Sequence, residues 1–176
     1  DVSAFFQRFY IPNNASLSIA GDFDLERAKE LVERYFADLP PGLPTPRMGR
    51  MDSPLQGQVD ATLYDKVTLP RLYLTWPTAP RFHEDEAPLT MLAAILGDGR
   101  SSRLHKSLVY EKRIAQSTSA YHGASEVAGL WYVDLTAAPG HTLAEVEDAA
   151  RFEIDRILEQ LPTAEEGERA KNRIEH

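Results

Sequence analysis

Residues 128–161, which read AGLWYVDLTAAPGHTLAEVEDAARFEIDRILEQL, contain the strongest fold signal in the chain. Ala128–Ala137 is rich in apolar and aromatic residues and is predicted to be a strand. Thr142 and Glu145 then match the Thr-x-x-Glu pattern of a capping box. This box opens an amphipathic helix that continues to about Leu161. A strand followed by such a helix predicts a sheet with a helical layer packed on it.

Further elements extend this pattern in both directions along the chain. A turn that contains glycine and serine joins Ala128–Ala137 to a second predicted strand, Ala115–His122. The other predicted elements are strands over Val59–Lys66 and Arg71–Trp76, helices over residues 88–96 (with Gly97 as C-terminal cap) and 101–111, and a last helix from a second capping box at Thr163 to His176. This order predicts an α+β, two-layer sandwich of a mainly antiparallel sheet with helices on one face.

A shorter helix-strand-helix arrangement precedes this domain. Asp1–Tyr10 is predicted to be a helix, Leu17–Ala20 a short strand, and Asp24 the N-cap of a helix that ends near Phe36. Between residues 40 and 54 there are five prolines and two glycines, which disfavour both helix and central strand. Residues 41–58 are therefore predicted to link residues 1–40 to a domain over residues 59–176.

The composition excludes several classes of function. The formal net charge of −8 repels phosphate backbones, and no basic stripe offsets it, so a nucleic-acid partner is not expected. The absence of cysteine excludes disulfides and thiol nucleophiles. No apolar run approaches the roughly 18 residues that a membrane-spanning helix needs.

No complete catalytic or metal site is recognisable among the chemically versatile residues. The five histidines form neither H-E-x-x-H nor H-x-x-E-H, and the nearest approaches, at His83 and at His141 with Glu145, provide one imidazole each. Residues 97–102 lack the lysine of a phosphate-binding loop and are interpreted as a turn between helices. A serine-histidine-aspartate triad is a spatial arrangement, so the sequence leaves it open. We expect no catalytic and no metal-ligating residue in this chain.

Three stretches together resemble the pitrilysin (insulinase-like) family of inverted-zincin peptidases, which includes the mitochondrial processing peptidases. The first runs from Pro12 to Asp22 and continues in the helix that ends at residues 34–40. The second is residues 97–104 with 108–115, and the third is residues 165–172. The resemblance covers nearly the whole chain and rests on the order and spacing of these stretches.

This resemblance implies a place within a larger protein. Residues 1–40 would end a first, zinc-bearing domain, whose H-x-x-E-H motif lies outside this chain, and residues 59–176 would begin a similar second domain. Two such halves enclose peptide substrates in a clamshell chamber. The cofactor implied is zinc in the parent protein, and the partners implied are peptides and a homologous half or subunit. By the same analogy, we expect a bacterial periplasmic or membrane-associated protein. Because residues 1–40 would have lost the rest of the domain that they pack against, we also expect the chain to self-associate through them.

One family motif is altered in this sequence. The half opposite the zinc usually carries an arginine and a tyrosine that hold the substrate, but the matching positions here are Val109 and Gln116. Both are expected to face the chamber between the halves, where neither can supply the positive charge. Two interpretations follow: a zinc-bearing half whose partner supplies the pair, or an inert subunit that serves binding and assembly.

Overall fold

The computed structural model describes residues 1–175, which divide into two compact units between Met48 and Gly49. The first unit contains helix α1 (Val2–Phe9), a 3-10 turn (Pro12–Asn14) and helix α2 (Leu25–Phe36). Asp24 caps α2 as predicted, since its carboxylate accepts a hydrogen bond from the Arg27 N–H at 2.7 Å. None of the residues in these three elements is buried.

The predicted strand at Leu17–Ala20 is wrong. Residues 15–20 have an irregular backbone, and the side chains of Leu17 and Ile19 are exposed. A strand requires a neighbour for its backbone N–H and C=O groups, and no described residue pairs with this segment. The first unit is therefore helix, irregular segment, helix.

The second unit contains three strands and a layer of helices. In chain order these are β1 (Arg71–Thr78), α3 (Glu86–Gly97), a π-helical segment (His105–Glu111), β2 (Ala115–Ala124), β3 (Gly129–Ala137), α4 (Leu143–Glu159) and α5 (Ala164–Glu175). His176 lies outside the described residues. Both predicted capping boxes form, with Thr142 and Glu145 exchanging hydrogen bonds at the start of α4, and Thr163 and Glu166 at the start of α5. None of the helices in residues 1–175 is long and apolar enough to cross a membrane.

The sheet is antiparallel with the order β1-β3-β2, so β3 is central. This arrangement confirms the predicted α+β class with helices packed against a mainly antiparallel sheet. The predicted fourth strand, Val59–Lys66, is wrong: this segment is irregular, and the side chains of Leu63 and Tyr64 are 94% and 95% exposed. Its residues have the composition of a strand, but they pair with neither of the outer strands, β1 and β2, of the described sheet.

The core lies between the sheet and the helices. Leu74 of β1 and Val133 of β3 are opposite each other on the buried face, and Ala120 of β2 is opposite Val133 on its other side. The largest fully buried side chains are those of Leu96, Leu104, Leu108, Val133, Leu135 and Val146. Burying each large apolar side chain contributes roughly 1.5–3 kcal/mol, so this layer accounts for most of the cohesion of the unit.

Gly97 has a different role from the one predicted. It is the last residue of α3 rather than a left-handed cap, and it is buried against β2. A Cβ at this position would lie 2.7 Å from the Cα of Ala120 and closer still to its N and Cβ. The left-handed glycine of this turn is Gly99, at φ 79°. Gly97 thus permits a close approach of helix and strand, and Gly99 makes the turn.

The boundary between the two units falls inside the predicted linker of residues 41–58. Gly42 and the side chain of Asn13 exchange two hydrogen bonds, of 2.9 and 3.1 Å, within the first unit. The Met51 N–H donates to the carbonyl of Val127, 2.9 Å away, within the second unit. The segment has no helix or strand, as its prolines predict, but Gly42 and Met51 are each hydrogen-bonded within their own unit. The assignment of residues 1–40 to a preceding domain stays a prediction.

Candidate binding surface

The face of the sheet that points away from the helices is polar and aromatic. Because alternate residues of a strand point to opposite faces, the strand register assigns its members. We call this surface the open face; it consists of Arg71, Tyr73, Thr75, Ser117, Ser119, Tyr121, Tyr132, Asp134 and Thr136. No member of this set is buried. Such a mixture of aromatic rings, hydroxyl groups and two opposite charges suits the binding of a polar chain such as a peptide.

Asp134 lies at the middle of the open face, on the central strand. It is opposite Tyr73 of β1 on one side and Ser119 of β2 on the other. Its Oδ1 atom is shielded from solvent and accepts no hydrogen bond within residues 1–175. Burial raises the pKa of this carboxyl above its ordinary value, and the positive charge of Arg71 opposes that shift.

Arg71, the cation whose charge acts on this carboxylate, is hydrogen-bonded to other groups. Its Nε donates to the hydroxyl of Thr136 and one terminal nitrogen donates to the hydroxyl of Tyr73, both at 3.3 Å. The hydrogen bond to Tyr73 raises the pKa of Arg71. Arg71 therefore influences Asp134 through its field, without forming an ion pair with it in the described structure.

The rings of Tyr121 and Tyr132 stack beside Asp134. Their centroids are 4.5 Å apart and their planes differ by 13°. Burial raises the pKa of Tyr121, and the negative charge of Asp134 raises it further. The sheet carries these two tyrosines and also two tryptophans, Trp76 of β1 and Trp131 of β3. The structure separates them: the tryptophans pack on the helical side, and the tyrosines belong to the open face.

The two positions predicted from the family motif are in different environments. Gln116 is exposed, at an irregularity of β2 where the register shifts between Ala115 and Ser117. Val109 is partly buried and packs against the hydrophobic core. The predicted helix there is π-helical, as the 2.9 Å bond from the Lys112 N–H to the Ser107 carbonyl shows, and this winding changes where each side chain points. Of the two side chains, that of Gln116 is exposed and that of Val109 is not. The expectation that both face a chamber stays a prediction.

The histidines have small local roles in the described structure. His122 lies between the hydroxyls of Thr78 (3.0 Å) and Thr90 (3.4 Å), whereas His83 and His141 lie near Asp85 and Glu145 respectively. Within residues 1–175 no three His, Asp or Glu side chains are grouped so that they could hold a metal ion. The described residues therefore form no zinc site among themselves, and the implied zinc of a parent protein stays a prediction.

A second group of charges stabilises the helical layer. Arg103 donates two hydrogen bonds to the carboxylate of Glu166, at 2.8 and 2.9 Å, and a third to the carbonyl of Gln160. The Arg103 guanidinium lowers the pKa of Glu166 to about 2, with help from the Thr163 backbone N–H. Arg173 of α5 also pairs with Asp98. These pairs attach the start and end of α5 to the segment that follows α3, and we assign them a structural role.

Sequence reasoning did not single out the open face. Its central residue could have been noticed, because Asp134 is the one charged residue in the predicted strand Ala128–Ala137. However, a charged residue on one side of a strand is ordinary when that side faces solvent. The shielded oxygen and the neighbouring tyrosines, which make this residue unusual, depend on the pairing of three strands.

The comparisons with known proteins agree on one family. The model of the peptidase M16 inactive domain matches residues 1–174. The zinc protease PqqE of Helicobacter pylori is 28% identical over 170 residues, which are 94% of this chain and 37% of that protein. A protease structure from Helicobacter pylori has a TM-score of 0.84 at 23% identity, over 99% of this chain and 43% of its own. A peptidase M16 inactive domain from Pseudomonas fluorescens has a TM-score of 0.70 at 20% identity, over 98% and 42% respectively.

These matches confirm the predicted kinship with zinc peptidases, and they also place this chain in the non-catalytic part. The chain spans less than half the length of these three relatives, 37% to 43% of each. The helices and antiparallel sheet found here are those of the similar structures. This chain belongs to the peptidase M16 inactive domain family.

Proposed function

We propose that this chain is the non-catalytic portion of a zinc metalloendopeptidase, and that its open face forms part of the wall of a chamber in which peptides are hydrolysed. In that protein, zinc would polarise the scissile carbonyl and activate water. This chain would contribute contacts that hold the peptide and a surface that meets a partner half. The parent protein would be bacterial and periplasmic or membrane-associated, by analogy with the family.

The open face is the observation that carries this proposal. The helices of the second unit pack on the other side of the sheet, and no residue of the open face is buried. Aromatic rings and hydroxyl groups can contact a peptide without selecting one sequence. The membership of the inactive-domain family supports a role beside catalysis rather than in it.

The altered motif supports a division of labour between two halves. Val109 has no hydrogen-bonding side chain and Gln116 has no charge, so neither position can stabilise a developing oxyanion as an arginine would. A homologous partner would supply the arginine and tyrosine, whereas the half containing this chain would supply the zinc. The alternative is an inert peptidase-like subunit that acts in binding and assembly.

A peptide-cleavage assay on the full-length protein tests this proposal and its alternative. The protein is assayed alone and with its homologous partner, each with and without a chelator. We expect cleavage only with the partner, and its loss on chelation. No cleavage with any homologous partner, together with no H-x-x-E-H in the full-length sequence, would favour the inert subunit. Chelator-sensitive cleavage by a verified monomer of this half alone would refute the division of labour.

A further inference from the structure

We propose that the open face holds a basic residue of the bound peptide, with Asp134 as the residue that selects its arginine or lysine side chain. This inference rests on the proposed function, because it names which part of a peptide the chamber wall would recognise. It identifies a specificity-determining residue in a chain that lacks the catalytic centre.

The first step in the argument is the unsatisfied oxygen of Asp134. Buried polar atoms are nearly always hydrogen-bonded, and an orphaned carboxylate oxygen costs more than a neutral one. Oδ1 has no donor within residues 1–175, although Tyr73 and Ser119 occupy the opposite positions on both neighbouring strands. The Oδ1 atom of Asp134 is therefore a shielded, negatively charged acceptor that receives no hydrogen bond from residues 1–175.

The second step is that the local cation, Arg71, is hydrogen-bonded to groups other than this acceptor. Arg71 donates to Thr136 and Tyr73, and it forms no ion pair with Asp134 in the described structure. The chain as a whole carries a formal net charge of −8, which adds a general attraction for cationic ligands. Charge complementarity thus favours a basic side chain over an acidic or apolar one.

The third step is the shape and chemistry around the carboxylate. The stacked rings of Tyr121 and Tyr132 lie on one side, and Tyr73, which is 58% exposed, lies on the other. Aromatic faces attract guanidinium and ammonium groups, and they also cover the methylene groups of these side chains. A basic side chain could lie between the rings and donate to Asp134, and rotation of the exposed Tyr73 or Arg71 side chain would open access to Oδ1.

The test is an NMR titration of the isotope-labelled 176-residue chain with short capped peptides of glycine and serine. One peptide carries a central arginine, and its partner carries citrulline, which has the same shape without the charge. We expect shifts concentrated at Tyr73, Ser119 and Asp134, and binding of the arginine peptide about threefold to tenfold tighter than of the citrulline peptide. Asp134→Asn should remove this discrimination.

Two further variants make the result specific. Asp148→Asn removes the same charge from an exposed position of α4, so it should leave the discrimination unchanged. Arg71→Gln removes the competing cation, so it should strengthen binding of the arginine peptide. Thermal unfolding monitors folding: Asp134→Asn should melt at or above the wild-type temperature, because the replaced carboxylate is disfavoured by burial.

The outcomes separate this inference from the proposed function. Equal binding of both peptides to the open face, unaffected by Asp134→Asn, would overturn the inference while leaving a peptide-binding wall intact. Shifts elsewhere, or no binding of either peptide, would count against both. Destabilisation by Asp134→Asn with unchanged discrimination would show that Asp134 is structural and would also overturn the inference.

Discussion

Replacing Gly97 with alanine should destabilise the second unit, although alanine is the better helix former. The added Cβ would lie 2.7 Å from the Cα of Ala120, whereas carbon atoms in contact are about 3.5–4.0 Å apart. Helix α3 would have to move away from β2 by about 1 Å, which loosens the packing of Leu96 and its neighbours. Overpacking of this kind costs about 1–3 kcal/mol, against a gain of about 0.5–1 kcal/mol in helix propensity.

Thermal and chemical unfolding, followed by circular dichroism, measure this effect. We expect a net loss of about 1–2 kcal/mol and a Tm lower by about 3–8 °C. The matched control is Gly167→Ala, because Gly167 is also helical but has no heavy atom within 4 Å of the added Cβ. That variant should be more stable than the wild type by about 0.5–1 kcal/mol. The same substitution should therefore change the free energy of unfolding in opposite directions at the two positions.

A double variant locates the clash. Adding Ala120→Gly to Gly97→Ala removes one of the three contacting atoms, while the N and Cα of residue 120 remain in place. It should therefore recover no more than part of the lost stability. A Gly97→Ala variant as stable as the wild type, or one fully restored by Ala120→Gly, would refute the close approach of the α3 and β2 backbones.

Three further predictions concern charge, metal and assembly. Because its pKa is lowered to about 2 in the folded state, Glu166 stabilises the fold above pH 4.5 and loses this effect as the pH falls toward 2. Glu166→Gln should lower the free energy of unfolding by about 1–2 kcal/mol at pH 7 and make it less dependent on pH between 4.5 and 2. The control is Glu165→Gln, which should do neither, because the side chain of Glu165 is 81% exposed. Elemental analysis after dialysis should find no stoichiometric zinc in this chain. About one tightly bound zinc per chain would contradict the expectation that this chain has no metal-ligating residues. The chain should self-associate through its first unit. Light scattering should therefore show a more monomeric protein when residues 1–48 are deleted. A full chain that is monomeric at high concentration, with residues 1–40 protected from hydrogen exchange, would contradict this self-association.

Elements with strong local signals were predictable from the sequence. The capping boxes at Thr142 and Thr163 depend on contacts between residues three apart, and both form as expected. The strands β2 and β3 and the long helix α4 follow from local composition and periodicity in the same way. Predicted bounds near Ala115, Ala137 and Leu161 agree with the structure to within two residues.

Elements that need a distant partner were not predictable in this way. Leu17–Ala20 and Val59–Lys66 have strand-like composition, but neither pairs with another strand in the described chain. The same limit applies to Val109, whose orientation depends on π-helical winding of residues 105–111. Propensity is a weak prior, and tertiary context decides whether the backbone groups of a segment find partners.

The sequence by itself determined the family, the α+β class and the lack of a recognisable zinc motif, because these depend on residue types and on spacing along the chain. Only the tertiary structure decided the roles of Gly97 and Asp134. Gly97 matters because a strand backbone 23 residues away in sequence approaches it too closely for a side chain. Asp134 matters because three paired strands surround it with tyrosines and leave one carboxylate oxygen without a donor among residues 1–175. Both properties arise from contacts between distant segments, which local sequence patterns do not encode.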